Sequence, residues 1–97
     1  MNKIFKIKFQ VRGYELDAYG HVNNAVYLNY CEFARWCMME EAGVGVEYFK
    51  DNKVSPVIVR AEIDYKYPCF LSEWVRVETQ LDSVRSRVAV FNQKIIK

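Results

Sequence analysis

The sequence predicts an α+β fold, one long helix laid on an antiparallel sheet, and three observations predict it. Residues 4–12 alternate between apolar and polar side chains, as a half-buried strand does. From Asn24 to about Ala42 the apolar period lengthens to three and four residues, the step of a helix. From residue 54 onward the alternation returns and is interrupted by turn-forming types. A strand, a helix and then a run of strands put the helix on one face of the sheet.

In the first strand Phe5, Ile7, Phe9 and Val11 share one face, and Lys6, Lys8, Gln10 and Arg12 the other. Residues 13–23 contain Gly13, Asp17, Gly20 and Asn23, residue types that tolerate turns. Asn23 or Asn24 is a natural N-cap for the helix that follows. On that helix Val26, Tyr30, Phe33, Ala34, Cys37, Met38 and Glu41 fall at helical steps, and its broadly apolar character predicts deep burial. Gly43 and Gly45 stop it, and residues 46–51 have the composition of one further short turn of helix. Residues 54–67 alternate for long enough that a bulge or bend is expected before Pro68 ends the strand. Residues 74–82 form the third strand, with Val75, Val77, Thr79 and Leu81 facing one way. Residues 87–96 form the fourth, and Val84-Arg85-Ser86 is the turn between them.

A chain of 97 residues makes one domain, 1–97, with a modest core that oligomerisation would help to stabilise. Its 52% hydrophobic and 27% charged residues are ordinary for a water-soluble globule. Fifteen aromatic side chains (seven Tyr, six Phe, two Trp) serve core packing or line a groove. A net charge of +2, with basic residues scattered along the chain, argues against nucleic acid as a partner. No segment approaches the roughly 20 apolar residues that a membrane span needs. Cys31, Cys37 and Cys69 have no metal-ligand spacing, and their odd number without a secretory signal points to a reducing, cytoplasmic setting.

The chemistry concentrates in residues 14–35, YELDAYGHVNNAVYLNYCEFAR, which place Asp17 and the only histidine, His21, in one short turn ahead of the helix. A helix start carries unpaired N–H groups and partial positive charge. A carboxylate can act there as base or nucleophile while the amides hold developing negative charge on oxygen. That combination suits acyl transfer to water. An Asx-turn also accounts for Asp17, and a brace for the loop accounts for His21.

Arg12-Gly13-Tyr14, Leu16-Asp17, His21-Val22-Asn23-Asn24-Ala25, Tyr27-Leu28, Glu32 and Ala34-Arg35-Trp36, with Asp64-Tyr65 and Pro68 downstream, resemble the 4-hydroxybenzoyl-CoA thioesterase-like family. The likeness is strongest to its long-chain acyl-CoA branch. It implies a hot-dog fold, a long central helix wrapped by an antiparallel sheet. It further implies hydrolysis of medium- or long-chain acyl-CoA to free acid and coenzyme A, without a metal or redox cofactor. Asp17 and His21 would then be catalytic, with Glu15 a second candidate acid. Asn23, Asn24, Ala25 and Tyr27 would supply the oxyanion and substrate contacts, mainly through backbone amides. Tyr27, Tyr30 and Met38 line an acyl groove or pack the core. Glu32 is either a helix carboxylate of the kind other hot-dog enzymes use in catalysis or, a better fit to the pattern, the partner of Arg35 at i+3 in a structural ion pair. Arg60, Lys66, Arg85 and Arg87 meet coenzyme A phosphates or are ordinary surface charge. The resemblance also implies a homodimer or homotetramer in which residues 54–67 pair edge to edge.

Two departures from the family pattern keep alternatives open. Tyr19 stands where acyl-carrier-protein relatives carry an asparagine, and the family's final strand is missing after residues 87–96. The alternatives are an acyl-ACP thioesterase and a non-catalytic, acyl-binding or truncated module.

Overall fold

The computed structural model describes residues 3–97. Its sheet has three antiparallel strands, β1 (Ile4–Gln10), β2 (Trp74–Arg85) and β3 (Val88–Ile96), in the order β1-β2-β3. β2 is central, and its register sets Phe9 opposite Val75, Ile7 opposite Val77 and Phe5 opposite Thr79. Val75, Val77 and Thr79 are consequently the largest of the fully buried side chains among the described residues. One helix, α1 (Asn24–Glu41), packs against β1 and β2, and a short helix, α2 (Val46–Asp51), follows it. This is the α+β, helix-on-sheet arrangement expected from the periodicity. Among the described residues no helix is long and apolar enough to cross a membrane.

The predicted capping of α1 is present at both ends. Asn23 Oδ1 accepts from the Ala25 amide at 2.9 Å, and Gly43, at φ +82°, carries the chain away in the left-handed conformation. Burial of α1 is narrower than its composition suggests. Only Tyr27, Tyr30 and Ala34 are buried, while Phe33 and Leu28 are exposed. A three-stranded sheet covers a single stripe of a helix, so the remaining apolar side chains face outward.

Three further expectations need correction. Residues 54–67 form no strand, because a strand exists only through hydrogen bonds to a neighbour, and the described residues provide none there. Every residue from 54 to 68 is exposed instead. The bulge expected there falls with the strand; a separate register shift lies between β2 and β3, at Leu81/Ser83. β2 extends to Arg85, which moves the hairpin turn to Ser86 and Arg87, with Ser86 at φ +54°. Finally, Arg35 Nη1 donates to Gln93 Oε1 at 2.9 Å rather than to Glu32. The Gln93 amide nitrogen in turn donates to the Cys31 carbonyl and the Thr79 hydroxyl, both at 2.9 Å, joining β3 to α1 and to the centre of β2.

Candidate active site at the start of the long helix

Between β1 and α1 the chain makes a 3-10 turn, Gly13–Glu15, and then a tight loop closed by a bridge between Leu16 and Val22. Inside that loop the Asp17 amide donates to the His21 carbonyl at 2.8 Å, and the Gly20 amide to the Asp17 carbonyl at 3.1 Å. Gly20 sits at φ +87°, a conformation glycine reaches without a Cβ penalty. Asp17 Oδ1 accepts from the Tyr19 amide at 2.9 Å, the Asx-turn anticipated for it. Its other oxygen, Oδ2, lies 3.4 Å from His21 Nδ1, with the two side chains 29% and 38% exposed. Acid and imidazole therefore stand paired and open to solvent.

Electrostatics favour the ionised acid. Partial removal from water is the largest influence on Asp17 and pushes its pKa up. The Tyr19 amide, the His21 charge and the His21 hydrogen bonds together outweigh it and hold the carboxyl below its ordinary range. The His21 ring lies between Tyr19, stacked at 6.3 Å between centroids, and Phe70, edge-on at 5.8 Å. Phe70 reaches it because residues 69–70 run beside the loop. The Val22 amide donates to the Cys69 carbonyl at 2.9 Å, and His21 bridges to Phe70.

The remaining predicted site residues separate into two groups. Asn23, Asn24 and Ala25 are exposed at the start of α1. The Ala25 amide is taken by Asn23 Oδ1 and the Val26 amide by the Asn23 carbonyl. The Asn24 amide has no hydrogen-bond partner among the described residues, so it is the donor the helix start keeps available. Tyr27 lies in the core, its hydroxyl accepting from the Cys69 amide at 3.0 Å. Burial, with Cys69 beside it, pushes its pKa up to about 12. It ties the 69–70 segment to the helix.

Glu15 is also removed from solvent, at 5% exposure. Its Oε1 accepts from the Arg12 amide and the Tyr30 hydroxyl, both at 2.8 Å. Its Oε2 accepts from Arg12 Nε at 3.1 Å and Arg12 Nη2 at 2.6 Å. Burial alone would raise its pKa, but the Arg12 and Tyr30 hydrogen bonds hold it below the usual carboxylate range. Burial and the Glu15 carboxylate in turn raise that of Tyr30. Beside this cluster is an open cavity of about 510 Å³, lined chiefly by Phe9, Arg12, Tyr14, Val26, Tyr30 and Phe33. Its size suits a small-molecule tail. Tyr30, weighed in the sequence as acyl groove or core, is in the core, and its side chain also borders this cavity. The links from Arg12 and Tyr30 to Glu15 were not read from the sequence. An arginine three residues ahead of a glutamate, flanking a glycine, was the available signal.

The Asp17–His21 pair sits in the turn that leads into α1, and α1 lies across an antiparallel sheet. The model of the thioesterase-like superfamily matches residues 11–97, and the chain belongs to that superfamily. It is 34% identical over 88 residues to the long-chain acyl-CoA thioesterase FadM of Escherichia coli, covering 91% of this chain and 66% of FadM. It is 43% identical over 47 residues to the chloroplastic acyl-acyl carrier protein thioesterase ATL3 of Arabidopsis thaliana, covering 48% of this chain and 25% of ATL3. The chain thus spans just under two thirds of the first relative and a quarter of the second. Among solved structures it resembles YbaW, a probable thioesterase of Escherichia coli, with a TM-score of 0.82 and 33% identity over 94% of this chain and 68% of that one.

Proposed function

We propose that the chain is an acyl-CoA thioesterase that hydrolyses medium- or long-chain thioesters to free fatty acid and coenzyme A. The observation that carries this reading is the pairing of Asp17 with His21 in a turn that leads directly into the helix start. Asp17, held ionised, takes a proton from water as the water oxygen attacks the thioester carbonyl carbon. The carbonyl oxygen gains the negative charge, and the Asn24 amide and the positive end of α1 stabilise it. Collapse of the tetrahedral intermediate breaks the C–S bond. The coenzyme A thiolate leaves, and the proton held at Asp17, with His21 beside it, returns to sulfur. The cavity beside Tyr14 and Tyr30 receives the acyl tail. This chemistry calls for no metal or redox cofactor, coenzyme A being part of the substrate.

The acting species in this reading is a cytoplasmic homodimer or homotetramer. Residues 54–67 support it: they alternate like a strand, pair with no strand among the described residues, and leave Val57 and Val59 74% and 79% exposed. A second reading, action on acyl groups carried by acyl carrier protein, is favoured by the likeness to ATL3 over residues that include 48% of the chain.

Thiol release from acyl-CoAs of graded length, with acyl-ACPs in parallel, tests the proposal. Turnover that rises toward medium or long acyl-CoA supports it, and preference for acyl-ACP transfers the function to the second reading. Tight acyl-CoA binding without turnover makes the chain a binding module.

A further inference from the structure

Glu15 belongs to the same loop as Asp17 but has a different environment. Its carboxylate is buried, and both oxygens are occupied by Arg12 and Tyr30. Although it borders the cavity, its two oxygens are taken up by four hydrogen bonds, which leaves no lone pair free for attack on a thioester. Its connections are the informative part. The side chain grips Tyr30, almost two turns into α1, while its own backbone carbonyl accepts from the Asn23 amide at 2.9 Å, at the helix cap. Asp17 and His21 lie in the segment between Glu15 and Asn23, so both ends of the catalytic loop meet at this one residue.

We infer that Glu15 is a positioning residue: its buried carboxylate pins the turn bearing Asp17 and His21 to the body of α1 and so sets where the acid meets the thioester. The inference rests on the hydrolase reading for its kinetic consequence, but the positioning itself stands on the hydrogen bonds. Arg12 supplies the charge that makes the grip strong, because hydrogen bonds to ionised groups are about twice as strong as neutral ones. Tyr30 supplies the direction, because its hydroxyl is carried on a side chain buried between α1 and the sheet, with its ring edge-on to Phe9. Loss of either lets the loop move by a fraction of an ångström, and displacements of about 1 Å are enough to cost roughly a hundredfold in rate.

The test uses Glu15→Gln and Tyr30→Phe in the full chain, with two readouts. The first is the kinetics of thiol release from decanoyl- and palmitoyl-coenzyme A. The second is the position of the His21 ring signals in proton NMR. His21 is the only histidine and lies between Tyr19 and Phe70, so ring currents make its shifts report the placement of the turn. The expected result is a fall in kcat of about a hundredfold for Glu15→Gln and about tenfold for Tyr30→Phe, with KM within about twofold and the His21 signals displaced.

Tyr30→Phe removes one hydroxyl and keeps the ring, so it decides the matter if Glu15→Gln fails to fold. Unmoved His21 signals in a folded variant overturn the inference. So does a rise in KM with kcat unchanged, which would make the cluster a substrate contact. If the unaltered chain releases no thiol from either substrate, the hydrolase reading fails, and the His21 signals alone still decide whether Glu15 positions the turn.

Discussion

Replacing Asp17 by asparagine separates chemistry from architecture. The amide oxygen of asparagine can still accept from the Tyr19 amide, as Asp17 Oδ1 does at 2.9 Å, so the Asx-turn survives. The backbone links of the turn, Asp17 to His21 and Gly20 to Asp17, involve no side chain and are also retained. What disappears is the negative charge at Oδ2, 3.4 Å from His21 Nδ1, and with it the only proton acceptor proposed for the attacking water. A positioned general base contributes about a hundred- to ten-thousandfold, so kcat for acyl-CoA hydrolysis is expected to fall by that factor. Because the Asp17 side chain is partly open to solvent, the thermal midpoint is expected to move by no more than about 4 °C. Steady-state thiol release and a calorimetric scan on the same preparations measure both quantities. Asp17→Ala, which loses the turn bond as well, should melt lower than Asp17→Asn while being no less inactive. If the asparagine variant keeps its rate within about tenfold, Asp17 is not the base. If it unfolds at much lower temperature, its role is structural and the mechanism above fails.

The pH dependence of stability should bear the mark of Glu15. Its folded pKa lies below the ordinary value of 4.5, so its contribution is fully present above that pH and is lost as pH falls through the folded value. Urea unfolding at pH 7 and at successive steps below pH 4.5 should show this loss, and Glu15→Gln should flatten the curve. Val77→Ala, at a side chain with 0% exposure on the central strand, removes two methyl groups from the core. It should cost roughly 2–3 kcal/mol in denaturant titration. Val59→Lys places a charge in the exposed segment 54–67 and should shift the chain from oligomer to monomer in sedimentation. An unchanged mass would mean that this segment is not the joint.

Elements that bury themselves against their sequence neighbours were legible. The alternation of Phe5, Ile7 and Phe9 located β1, and that of Val75, Val77 and Thr79 located the centre of β2. Asn23 and Gly43 marked the two ends of α1 because caps are local devices. Residues 54–67 had an equally clear alternation and no strand, since pairing depends on a neighbour that no periodicity encodes. The burial of α1 was overestimated for a related reason: composition states how much of a helix can be covered, and the width of the sheet decides how much is. Within the site, the turn holding Asp17 and His21 could be read from spacing of a few residues. The contact of Tyr30 with Glu15, fifteen residues apart, depends on how the loop folds back onto the helix and was not readable.

The Gln93 side chain has a consequence for alignment. The strand carrying it must present an amide at one rung only, beneath Cys31 and opposite Thr79. Sliding that strand by a single place would bring Asn92, a methylene shorter, or Lys94, which can donate but not accept from Arg35. Either misalignment breaks this set of hydrogen bonds and reverses which side chains look inward. A single glutamine thus works as a locating pin, adding a polar check to the apolar pattern that holds the hairpin in step with the helix.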